Sequence, residues 1–173
     1  MELTKDDVLN IPRSLCPMMV FSYGIGSTIA TAIAIKERGL YNHFMWLIEP
    51  GVLATQDWLF KKVPVENYMV KHAMKFVYST AWIEQDREKI ISAIEVDLAK
   101  PWYKRIYDPL AIAGQLFDLE WIQIPGIDIC SDKGDYIRLV DKNYDLKHPS
   151  PTNINTWSQC QESYKVYGRF RLD

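Results

Sequence analysis

The reactive residues to start from are Cys130 and whichever histidine meets it. Cys130 lies in residues 127–140, IDICSDKGDYIRLV, a short apolar lead-in followed by a predicted helix that begins directly behind the thiol. Ser131 and Asp132 are the residue types found at helix N-termini, because their oxygens accept from backbone N–H groups that the first turn leaves unpaired. Tyr136, Ile137 and Val140 supply an apolar stripe at helical spacing. A cysteine at such a position sits in the positive end of the helix dipole, which favours thiolate over thiol. The other reading of Cys130 is a small, inert, buried hydrophobe. Cys16 precedes a proline and Cys160 falls in a polar stretch, so neither has a base nearby in sequence.

A thiolate nucleophile needs a base, and the base needs a third group to hold its tautomer. Three histidines are present. His148 sits in a proline-flanked polar segment and His72 beside Lys71 at an element boundary, and both read as surface residues. His43 differs, since it opens an apolar strand directly after a Tyr-Asn pair. Its alternative role is a strand-end histidine satisfied by a backbone carbonyl. Pro50-Gly51 is a two-residue turn signal that folds residues 52–60 back along the His43 strand. If Glu49 faces Val52, residues 43, 45, 47 and 49 share a sheet face with 52, 54, 56 and 58, because side chains alternate with period two. Gln56 then orients His43, and Trp58, on the same face, is a substrate-groove candidate together with Tyr23. A slip of one residue substitutes Thr55 or Asp57, and Glu49 is a further alternative for the third polar residue.

The elements that must carry these residues read as α+β. Residues 18–23 form a first strand, Gly24 and Gly26 a tight turn, and residues 27–38 an Ala/Ile-rich helix closed by Gly39. The YGIGST turn lacks the Lys-Ser/Thr ending of a phosphate-binding loop and the third glycine of a dinucleotide fingerprint. Residues 63–69 pass from a strand end into a short helix, and residues 73–78 form another strand. Ile83, Ile90, Ile91, Ile94 and Leu98 mark an amphipathic helix stopped by Lys100-Pro101. Pro109 opens an apolar helix to residue 117. From about 141 an arm wraps the domain, with a helix in residues 152–161 and a last extended piece in residues 164–170.

With 173 residues, 48% hydrophobic, the chain fills one core, so residues 1–173 are read as a single domain. Twenty basic against 22 acidic residues give no electrostatic footprint for nucleic acid. No apolar run approaches the ~20 residues of a membrane span, and the charged start MELTKDDVLN has no signal-peptide core. The expected location is cytoplasmic or phage-derived intracellular. No His/Cys cluster has zinc spacing, so neither metal nor cofactor is expected.

The motifs Tyr41-Asn42-His43, Val63-Pro64-Val65-Glu66, Tyr107-Asp108-Pro109-Leu110, Ile129-Cys130-Ser131-Asp132 and Pro149-Ser150-Pro151-Thr152-Asn153-Ile154 occur in that order. Their types and order resemble the permuted papain-like cysteine hydrolases of the NlpC/P60 superfamily, in the YiiX/YaeF-like branch. The resemblance implies a central antiparallel sheet packed by helices, Cys130 as nucleophile, His43 as general base, and an orienting residue on the strand after His43. It also implies oxyanion binding by backbone N–H groups around Cys130 and Ser131, and a small peptide-like or lipid-like acyl substrate. The alternative is a catalytically inactive papain-like module with a binding or structural role.

Overall fold

A computed structural model describes residues 1–24, 40–106, 108, 130–146 and 149–171. Among these, six strands form one antiparallel sheet: β1 (Met18–Gly24), β2 (His43–Glu49), β3 (Val52–Gln56), β4 (Phe60–Pro64), β5 (His72–Ser79) and β6 (Tyr164–Phe170), in the spatial order β4-β3-β2-β1-β5-β6. The α+β class is therefore the observed one. Both sheet faces are covered, which explains why β1 and β2 read as near-continuous apolar runs rather than as an alternation.

One face packs Phe21, Phe44, Trp46 and Ala54 under Ile90 and Ile94 of α3 (Glu84–Ala99), Ile154 and Trp157 of α4 (Pro151–Cys160), and Ile137 of the 3₁₀ helix Cys130–Leu139. The opposite face packs Val20, Met45, Leu47 and Leu53 under Val8 of α1 (Lys5–Leu9) and under Tyr68 and Met69 of α2 (Glu66–Met69). Local signals account for the helix ends. Thr4 and Asp7 form a reciprocal capping box before α1. Pro101 follows α3 and stops it. Ser150 accepts from the Asn153 N–H before α4, with Pro151 in its first turn.

Two expectations change. Residues 52–60 are not one return strand: β3 stops at Gln56, and β4 starts again at Phe60 after a turn. The segment from about 141 is not an added arm. It supplies α4 to one core and β6 to the sheet edge beside β5. The helices expected at residues 27–38 and from Pro109 to residue 117 lie outside the described residues, as does His148.

The helix that carries Cys130 is tied to α3 and to the sheet. The Trp46 indole donates to the Lys133 carbonyl at 2.8 Å, and Lys133 Nζ lies 2.8 Å from Asp97 Oδ2 and 4.5 Å from the centre of the Phe60 ring. The Tyr136 hydroxyl donates to the same Asp97 oxygen in a short hydrogen bond. Burial alone would raise the Asp97 pKa, but hydrogen bonds from Lys100, Lys133 and Tyr136 hold it down at about 2. Gly134 packs directly against α4: a Cβ there would lie 2.6 Å from Ile154 Cδ1. A glycine that weakens an isolated helix is here what lets two elements meet.

Candidate active site

His43 stands at the start of β2, opposite Ser22 of β1. What surrounds it depends on an irregularity in the β2–β3 hairpin. The turn is as read from sequence, with Gly51 at φ +77° and Glu49 paired to Val52. The register then shifts between Leu47 and Glu49, so that Leu47 pairs with Leu53 and Met45 with Thr55. This β-bulge puts Leu53 on the face of Met45, Leu47 and Val20, and Ala54 on the face of Trp46. An unbulged register would exchange those faces. The correction for the site follows directly, because a one-residue shift turns Gln56 away from His43 and brings in Thr55 and Asp57.

Gln56 is fully buried and its amide N–H donates to the Arg105 carbonyl at 2.9 Å. That carbonyl also accepts from the Phe60 N–H, while the Arg105 guanidinium donates to the Phe60 carbonyl. Gln56 thus clamps the segment after α3 to the β3–β4 turn. Gln56→Leu is expected to cost about 1 kcal/mol of stability for the lost hydrogen bond and to leave the pH dependence of any His43 chemistry unchanged. Urea denaturation together with a pH–rate profile checks both.

The neighbours of His43 form a continuous polar relay. Its Nε2 lies 2.7 Å from Thr55 Oγ1 and 3.5 Å from Asp57 Oδ1. The Thr55 hydroxyl is 3.4 Å from that carboxylate oxygen, and Tyr68 OH donates to the same oxygen in a short hydrogen bond. An Nε2–H that donates to Thr55, with the Thr55 O–H turned to Asp57, satisfies every group in this set and leaves Nδ1 as the basic atom. The Tyr68 ring lies parallel to the imidazole, 6.0 Å between centres, and its centre is 4.8 Å from that of the His72 ring.

Burial pushes the His43 pKa well below its ordinary value, the Asp57 charge pulls it partly back, and His72 lowers it further. Despite the approach to Asp57, His43 is therefore neutral at pH 7, as a general base must be. Burial likewise lowers His72 and raises Tyr68, which stays a phenol and a donor.

Cys130 is buried, 4% exposed, and is one of three thiols in the chain, none in a disulfide. Burial and the Asp57 charge raise the Tyr68 pKa most, and the charge of the Cys130 thiolate adds to them. Ser131 is buried next to it, and its hydroxyl has no hydrogen-bond partner among the described residues. Trp58 is 74% exposed in the turn after Asp57. Tyr23 faces the other way: Ser22 shares the His43 face, so Tyr23 points to the opposite one.

Sequence reasoning missed Tyr68 and His72. His72 reads as a surface residue from its Lys71 neighbour, but its ring packs on Gly24, where a Cβ would come within 2.3 Å of it. The available signal was the aromatic pair four residues apart across α2, Tyr68 and His72, beside a strand that ends in glycine. Among the described residues no helix is long and apolar enough to cross a membrane. No family model matches the sequence, and no characterised protein matches it significantly.

Proposed function

We propose that this chain is a cysteine hydrolase of the amidase, peptidase or esterase type, with Cys130 as nucleophile and His43 as general base. Thr55 and Asp57 take the orienting role that the unbulged register gave to Gln56. The observation that carries the reading is the contact of His43 Nε2 with Thr55 and Asp57, which supports the tautomer with a proton on Nε2 and Nδ1 as the accepting atom. Nδ1 takes the proton of the Cys130 thiol as the sulfur attacks the acyl carbon. The backbone N–H groups of Cys130 and Ser131, with the Ser131 hydroxyl beside them, hold the oxyanion. The leaving amine or alcohol departs with the proton from His43, and water activated by the same nitrogen cleaves the thioester. The permuted papain-like arrangement and a small peptide-like or lipid-like acyl substrate belong to this proposal.

An activated acyl probe, with its adducts mapped by mass spectrometry, tests it. Acylation of Cys130 at least tenfold faster than of Cys16 or Cys160, followed by turnover, is the expected result. Reaction of Cys130 no faster than of the other two overturns it in favour of an inactive papain-like module, the reading that the low exposure of Cys130 favours.

A further inference from the structure

The sheet face opposite His43 carries a buried cation that the proposed reaction does not use. Lys75 lies in β5, between β1 and β6, and is 1% exposed. Its Nζ donates to Asn155 Oδ1 of α4 at 2.6 Å and sits 5.9 Å from the centre of the Phe21 ring. Cross-strand pairing places Phe21 and Arg169 on either side of it, on the same face, and Tyr23 beside Ala73 further along. Tyr23, Ala73, Lys75 and Arg169 border a cavity of about 220 Å³, which Tyr41, Met74, Phe170 and Arg171 also line. Among the described residues its lining contains three cationic side chains and no carboxylate. Glu2 reaches Arg171 from outside, 3.5 Å away, with both side chains largely in solvent.

The buried Lys75 ammonium, paired across the strands with Arg169, has the neutral Asn155 side chain as its hydrogen-bond partner, and a carboxylate beside it would offset its charge. Burial and the Arg169 charge lower the Lys75 pKa to about 8, the direction that burial beside a second cation imposes. The other walls are aromatic and aliphatic, which suits a carboxylate that carries an apolar body. The volume is below the ~300–1,000 Å³ that accommodates drug-sized ligands, which limits that body to a compact one.

We propose that this cavity binds a small organic monocarboxylate, its carboxylate on Lys75, Arg169 and Arg171 and its apolar body against Tyr23, Tyr41 and Phe170. His43 is not among the residues that line the cavity.

Isothermal titration with octanoate at pH 7, with 1-octanol as the uncharged control, tests the proposal. Octanoate is expected to bind at least tenfold more tightly than octanol. Arg169→Gln, at an exposed position, is expected to weaken octanoate at least tenfold, and Lys75→Met to do the same if it folds. His43→Ala is expected to bind octanoate as the wild type does. No binding at millimolar octanoate, equal binding of octanol, or undiminished binding by Arg169→Gln overturns the proposal. So does loss of binding in folded His43→Ala, which would place the ligand at the other face.

Discussion

Acylation of Cys130 by an activated ester is expected to slow about a thousandfold in His43→Ala, within the range general bases supply. The reason is geometric and electrostatic together. The ring is held neutral by burial, so its proton-accepting form is the populated one at pH 7. Its Nε2 is occupied by Thr55, so Nδ1 alone is left to take the thiol proton. The pH dependence follows with a definite sign. The neutral ring predominates above its folded-state pKa, which lies below the ordinary ~6.5, so the acid limb of the rate falls below that value. Asp57→Asn removes the charge that raises the His43 pKa, so it is expected to move the acid limb lower still and to reduce the rate through poorer ring orientation. A purely structural Asp57 would lower stability without moving the limb. Rates of Cys130 adduct formation between pH 4 and pH 8 for the three proteins separate these cases. An acid limb above 6.5, or His43→Ala at the wild-type rate, ends the role assigned to His43.

How much of this was legible in the sequence depended on whether a signal was local. The Pro50-Gly51 turn, the Pro101 stop and the apolar repeat ending at Leu98 are written in adjacent residues, and each element appears where those residues put it. The bulge after Leu47 is not written there. It follows from which face of β3 the rest of the core can bury, a property of Val20, Met45 and Trp46 as packed, not of the hairpin. Since side chains alternate, that one unreadable residue decided whether Gln56 or the Thr55–Asp57 pair meets His43. His72 was obscured in the same way, because its burial depends on the absence of a side chain at Gly24, far away in sequence. Gly134 reads as a fault in a helix until Ile154 is seen against it. The candidate nucleophile and base were nameable from residue type, whereas their supporting groups came from contacts between distant segments.

The support beneath Cys130 gives the largest stability effect. Asp97→Ala is expected to destabilise the fold by about 3 kcal/mol, the scale for removing one partner of a buried ion pair. Lys133 Nζ is nearly sealed from water over the Phe60 ring, and the Asp97 carboxylate also receives the Tyr136 hydroxyl. Losing that carboxylate therefore loosens the helix that begins at Cys130. If the cost comes from the ammonium left without Asp97, replacing Lys133 by an apolar side chain of similar length must recover part of it. Asp97→Ala/Lys133→Met is thus expected to be more stable than Asp97→Ala alone, although it carries one more substitution. The acid dependence has its own sign and window. The folded pKa of Asp97 is depressed to about 2, so its contribution is complete above the unfolded value near ~3.9 and is lost as pH falls toward 2. Urea denaturation of the single and double variants at pH 7 and pH 3 resolves the prediction. A double variant less stable than Asp97→Ala would show that Lys133 is held by packing on Phe60 rather than by its charge.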